Sequence, residues 1–80
     1  MAPVHVLIVP KQHIMASVAE ADGGNSAVIA RIFEAAAEIA QQLKLENGFR
    51  IVTNAGADAG QTVAHLQFHL LGGQALGPQA

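Results

Sequence analysis

The chain contains no cysteine, tryptophan or tyrosine, and only 12% of its 80 residues are charged. Without cysteine there can be no disulfide framework and no thiolate metal site, a composition compatible with a reducing compartment. Four lysine and arginine residues are too few for the basic surface of a protein that follows a nucleic-acid backbone. We therefore expect no nucleic-acid partner.

Long hydrophobic runs are also missing. No apolar run approaches the ~18 residues of a membrane-spanning helix, and the first residues lack the basic segment of a signal peptide. These absences predict a cytoplasmic protein without a membrane partner. Hydrophobic residues make up 51% of the chain, which predicts one packed domain over residues 1–80, with a loosely ordered tail at 74–80. A chain this short buries only about 60–65% of its unfolded surface, so a second subunit is expected to add to its core.

One long helix is the clearest element in the sequence. Asn25 or Ser26 is a suitable helix cap, and the helical pattern then continues to Leu45. Gly48 is suited to a left-handed cap at the other end. The apolar residues of this segment recur at steps of three and four and form one broad stripe. They are Ile29, Ile32, Phe33, Ala36, Ile39, Ala40 and Leu43, and we assign all of them, Phe33 included, to the core.

Three strands surround this helix in the sequence. Residues 4–9 form a β-branched run between two prolines, with apolar residues on both faces, and predict a strand buried on both sides for part of its length. Residues 49–53 and 63–71 predict two further strands, and residues 14–21 a short helical turn. The order strand, helix, strand, strand predicts an α+β fold, an antiparallel sheet with one long helix packed on a face.

The last predicted strand carries the polar residues with the most chemistry. Alternation places His65, Gln67 and His69 on one face and apolar residues on the other. Packing alone rarely requires such a row, which favours a functional interpretation. Alternate strand residues are about 6.6 Å apart, so the two histidines are roughly 13 Å apart and cannot chelate one ion by themselves. We therefore predict no metal site and no cofactor.

His65-Leu-Gln-Phe-His69-Leu-Leu, followed by two glycines, resembles the alternating motif of the histidine triad (HIT) superfamily. Residues 3–14 resemble the first strand and turn of that family, and residues 54–62 resemble its phosphate-binding loop. The resemblance covers nearly the whole chain in one collinear order and is strongest to the Hint-like nucleoside phosphoramidases.

The resemblance implies a homodimer that binds purine nucleotides or nucleoside phosphates and acts on the α-phosphate through a nucleotidyl-histidine intermediate. It implies that His65 orients the nucleophile with help from His5, and that His69 contacts the phosphate. The residues that match positions holding the phosphate or leaving group are Asn54, Gly60, Gln61 and Thr62.

Two departures from the family pattern alter these expectations. Gln67 occupies the position of the nucleophilic middle histidine, and an amide nitrogen has no basic lone pair. The covalent route therefore fails, and catalysis is expected to be impaired. The strand pair that usually precedes the region matching Pro3 is absent, so we expect an incomplete nucleoside pocket and an unpaired sheet edge at residues 4–9, which favours association with another chain.

Plainer interpretations of the same residues remain open. His5 also fits a hydrogen-bonded histidine of the core, and a nine-residue connection between strands needs glycines whether or not it binds an anion. His13 follows a turn and is assigned no catalytic role. Two functions therefore stand side by side, an impaired HIT enzyme and a non-catalytic module that binds a phosphate or nucleotide, or only dimerises.

Overall fold

The computed structural model describes residues 3–78 and contains one helix and three strands. Strand β1 spans Val4–Ile8, helix α1 spans Ser26–Gln42, strand β2 spans Phe49–Val52 and strand β3 spans Phe68–Gly72. Short 3-10 turns at Val18–Glu20 and Ala57–Ala59 lie in the connections. The α+β class predicted from the sequence is confirmed, as is the short helical turn before α1.

The three strands form one antiparallel sheet in the order β1-β3-β2. Leu7 lies opposite His69 and His5 opposite Leu71, so these residues share one face. Strand β1 forms one edge of this sheet, as predicted. It is not buried on both sides, because its His5 and Leu7 side chains are exposed, and that part of the prediction is wrong.

The core lies between α1 and the face of the sheet that does not carry His5 and His69. It is formed by Met15, Ile32, Leu66 and Phe68, with Ile8, Val18, Val28, Ile29 and Ile51 packed around them. The buried line along α1 is Ile32, Ala36 and Ala40. Phe33 lies about 100° around the helix from Ile32 and is 48% exposed, with its edge against Phe68. The assignment of Phe33 and Leu43 to the core was therefore wrong.

Strand β3 is shorter than predicted, because residues 63–67 are not paired in the sheet. Ile8 of β1 lies opposite Phe68, and two residues further along that strand Pro10 has no N–H to continue the pairing. On the other side, the Thr53 hydroxyl donates to the Gln67 carbonyl at 2.6 Å in place of a backbone donor. Burial still alternates along residues 65–70, so the polar row keeps one face.

The start of α1 confirms the predicted cap position, whereas its end differs from the prediction. Asn25 occupies the cap position, but its side chain makes no capping hydrogen bond and instead accepts from the Asp22 backbone N–H. At the other end α1 stops at Gln42, well before Gly48. The Leu45 N–H donates to the Ala40 carbonyl and the Lys44 N–H donates to the Gln41 carbonyl. This is a Schellman ending, with Lys44 in the left-handed position.

Residues 74–78 contain no regular secondary structure, and the Arg50 guanidinium donates to the Gly77 carbonyl. The last two residues of the predicted tail lie outside the described residues. Over residues 3–78, no helix combines the length and apolarity needed to cross a membrane.

Replacing Lys44 by glycine is expected to stabilise the fold by about 0.5–1 kcal/mol, because the residue has φ 57° and glycine adopts this conformation without steric cost. Urea unfolding monitored by circular dichroism measures the change. Gln42→Gly, a substitution two residues earlier inside the helix, is the matched control and should destabilise by about 1 kcal/mol. A loss of stability in Lys44→Gly would contradict the assignment of the helix ending.

Candidate functional site

A cavity of about 250 Å³ lies where the glycine-rich loop meets the polar row. It is lined by Asn54, Gly60, Gln61, Thr62, Val63, His65, Gln67 and His69. Every residue that the sequence predicted for the site lines this cavity except His5. His5 is hydrogen-bonded to His69, which does line it. The backbone therefore brings together two segments that the sequence only placed near one another, the connection at 54–62 and the row at 65–69.

The loop owes its shape to two glycines and one glutamine. Gly56 and Gly60 adopt φ angles of 86° and 84°, a region that other residues rarely enter. The Gln61 carboxamide accepts from the Gly56 N–H at 2.7 Å and donates to the carbonyls of Ala16 and Val63. Both amide protons of Gln61 are thus used by backbone carbonyls. Its side chain fixes the loop beside the cavity.

His5 and His69 form one imidazole pair. The Nε2 atom of His5 lies 2.8 Å from Nδ1 of His69, and the ring centroids are 5.1 Å apart. The pair forms because strands β1 and β3 are adjacent and place both side chains on the face opposite α1. His5 is exposed and His69 is half-buried. The interpretation of His5 as a histidine of the core is therefore wrong.

His13 and His65 form a second pair, which the sequence did not reveal. Their Nδ1 atoms are 3.2 Å apart, and Nε2 of His65 lies 3.1 Å from the Pro10 carbonyl. A carbonyl only accepts, so Nε2 of His65 carries a proton. In the neutral ring Nδ1 then accepts, and Nδ1 of His13 must donate to it. His13, assigned no role from the sequence, holds the orientation and tautomer of His65.

This second pair depends on a contact between distant parts of the chain. The segment after β1 runs beside the residues that precede β3, and the Leu66 N–H donates to the Met15 carbonyl at 3.1 Å. The buried Met15 side chain anchors the same segment in the core. The only hint in the sequence was a histidine placed soon after Pro10, which does not by itself indicate a partner.

Several polar groups at the cavity form no hydrogen bond within residues 3–78. They are the side chains of Asn54, Thr62 and Gln67 and the Nε2 atom of His69. Together they offer amide and hydroxyl donors and an imidazole nitrogen to a bound molecule. No group of three or more histidine, cysteine, aspartate or glutamate side chains in this part of the chain is arranged to hold a metal ion.

Comparison with known proteins places this chain in a family. The family model described as HIT domain matches residues 1–76. An uncharacterized HIT-like protein of Chlamydia trachomatis is 42% identical over 76 residues, which cover 95% of this chain and 68% of the relative. Among solved structures, a HIT family hydrolase from Clostridium thermocellum superposes with a TM-score of 0.89 at 51% identity, covering 98% of this chain and 68% of that one.

A hypothetical histidine triad nucleotide-binding protein from Sulfolobus tokodaii superposes with a TM-score of 0.66 at 33% identity, over 85% of this chain and 45% of that one. The chain thus spans about two thirds or less of the length of these relatives. It belongs to the HIT domain family, and its fold is that of the family's hydrolases.

Proposed function

We propose that this chain is a nucleotide-binding HIT module that resembles nucleoside phosphoramidases and nucleotide hydrolases, and that it holds the α-phosphate of a purine nucleotide or nucleoside phosphate. One observation carries the proposal. The cavity of about 250 Å³ joins the glycine loop to the row of imidazole, carboxamide and imidazole. The nucleotide-binding description of the Sulfolobus tokodaii protein is consistent with this ligand class.

The hydrogen-bonding capacity of each residue at the cavity determines its proposed role. The amide of Asn54 and the hydroxyl of Thr62 donate to the phosphate oxygens. Gly60 shapes the loop beside them, because its own N–H donates to the Ala57 carbonyl. His69 faces the phosphate site with Nε2, because its other nitrogen is bound to His5. Gln61 contributes by fixing the loop, and His65 borders the cavity with both nitrogens already bonded.

Gln67 sets the level of catalysis. It stands where the resemblance expects the nucleophilic histidine, and its carboxamide cannot form a nucleotidyl-histidine. The family's covalent route is therefore closed, and hydrolase activity is impaired. The second candidate function, a module that binds a phosphate or nucleotide without turnover, is favoured by this same residue.

Binding is tested by calorimetry with AMP and with inorganic phosphate. We expect AMP to bind with a Kd below about 1 mM, corresponding to at least ~4 kcal/mol of binding free energy. Asn54→Asp places a carboxylate beside the phosphate and should weaken AMP binding by about tenfold or more. Asn47→Asp, the same change at an exposed position away from the cavity, is the control. No heat of binding for AMP in the unsubstituted chain would overturn the proposal.

A homodimer in the cytoplasm is the proposed working form. Strand β1 lies at a sheet edge with Leu7 51% exposed and the adjoining Val9 44% exposed, and such edges favour association with another chain. Sedimentation equilibrium should give twice the chain mass. A single 8.3 kDa species at all concentrations would contradict the dimer.

A further inference from the structure

We propose that this chain hydrolyses its nucleoside phosphate substrate by direct attack of water on phosphorus, with His69 as general base, His5 as its positioning residue and Gln67 orienting the water. The inference rests on the proposed function, because it needs a phosphate in the cavity. It differs in mechanism from the covalent route, which Gln67 closes. The hydrogen-bond partners of each imidazole carry the argument.

His65 is excluded as the base by its own contacts. Its Nε2 proton is directed at the Pro10 carbonyl, and its Nδ1 lone pair accepts from His13. Neither nitrogen is left to take a proton from water while these bonds persist. His13 does not line the cavity. The base must therefore come from the other imidazole pair.

His69 is suited to this role. It lines the cavity, its Nδ1 lies 2.8 Å from Nε2 of His5, and its Nε2 has no partner within residues 3–78. When Nδ1 donates to His5, Nε2 carries the lone pair that a general base requires. After proton transfer, the imidazolium of His69 keeps the same bond to His5 in charge-assisted form, which stabilises it.

Gln67 lies between the two histidines of the row, and its carboxamide also has no partner among the described residues. A carboxamide combines one acceptor with two donors. The Nε2–H₂ group of Gln67 can donate to a phosphate oxygen, while its Oε1 accepts from a water molecule. Glutamine is used in this way to orient attacking water in phosphoryl transfer.

The step balances without any further reactant. The water oxygen forms a bond to phosphorus, and one water proton passes to Nε2 of His69. The bond from phosphorus to the leaving nitrogen breaks, and that nitrogen departs with the electron pair and takes a proton from solvent. His69 then releases its proton to solvent. An adenosine 5′-phosphoramidate is thereby converted into AMP and ammonia.

The stereochemistry at phosphorus distinguishes the two routes. The substrate is an aryl ester of adenosine 5′-phosphorothioate with a single configuration at phosphorus, hydrolysed in ¹⁸O-labelled water by the full chain. One displacement inverts the configuration, whereas two displacements through a covalent intermediate retain it. We expect inversion and no covalent adduct after rapid quenching. Retention, or a nucleotidyl-protein adduct, would overturn the inference.

The kcat values of substituted variants test the roles of His69 and His5. His69→Gln should lower kcat by about 100-fold or more with a much smaller change in the Kd for AMP, and His5→Asn should give a smaller loss in kcat. Gln41→Asn, on the exposed side of α1, is the control and should leave kcat unchanged. Circular dichroism verifies that each variant is folded. Unchanged kcat in a folded His69→Gln variant would overturn the role of His69.

The same measurements separate this inference from the proposed function. If AMP binds and no hydrolysis occurs, only the water-attack mechanism is overturned, and the chain is a binding module. If AMP does not bind, the proposed function fails and this mechanism fails with it.

Discussion

Gln67→His is expected to raise the rate of hydrolysis of adenosine 5′-phosphoramidate by about 10³-fold or more, the scale on which nucleophiles contribute to covalent catalysis. The glutamine is half-buried at the cavity and its side chain has no hydrogen-bond partner within residues 3–78. Replacing it with an imidazole therefore breaks no existing side-chain bond. Steady-state release of AMP measures the gain, and acid-labile nucleotidyl-histidine should appear on rapid quenching.

Gln67→Asn is the matched control, because it keeps an amide and supplies no nucleophile. It should show no gain in hydrolysis and no adduct. If the folded histidine variant binds AMP yet remains as slow as the unsubstituted chain, then the identity of residue 67 does not limit catalysis. A low rate of hydrolysis would then have its cause elsewhere in the site.

Leu70→Ala is expected to destabilise the fold by about 2–5 kcal/mol, the usual cost of removing a large buried side chain and leaving a cavity. Leu70 is 0% exposed and lies on the central strand, opposite Val6 on one side and Ile51 on the other. Domains of this size have only about 5–15 kcal/mol of stability in total. The variant should therefore show a much lower urea midpoint, measured by circular dichroism.

Leu43→Ala provides the comparison for that experiment. Leu43 is 45% exposed just beyond α1, so its truncation should cost only about 0.5 kcal/mol. Equal losses in the two variants would show that the buried Leu70 side chain contributes no more to stability than an exposed leucine.

Local patterns in the sequence were sufficient for the elements that depend on one face or one run of residues. The steps of three and four in α1 located the helix to within a few residues, because a helix needs only a continuous apolar line such as Ile32, Ala36 and Ala40. Alternation along residues 65–70 gave the correct facing of the polar row, since burial alternates there. The chemistry of Gln67 also followed from its residue type alone.

The predictions from the sequence were wrong where contacts between distant parts of the chain determine the length or exposure of an element. The length of β3 depends on where β1 stops pairing, and Pro10 is more than 50 positions away in the chain from the unpaired residues 63–67. The exposure of Phe33 depends on how much of α1 a sheet of three strands covers. The left-handed residue at the helix end fell on Lys44, although the sequence offered Gly48.

The sequence by itself determined the α+β class, the helix and the row of imidazole and carboxamide side chains, because each follows from local periodicity or from residue type. Only the tertiary structure decided which imidazoles pair. The hydrogen bonds of His5 with His69 and of His13 with His65 join residues 64 and 52 positions apart. Such contacts are fixed by strand register and by the seating of Met15 in the core, which no local pattern encodes.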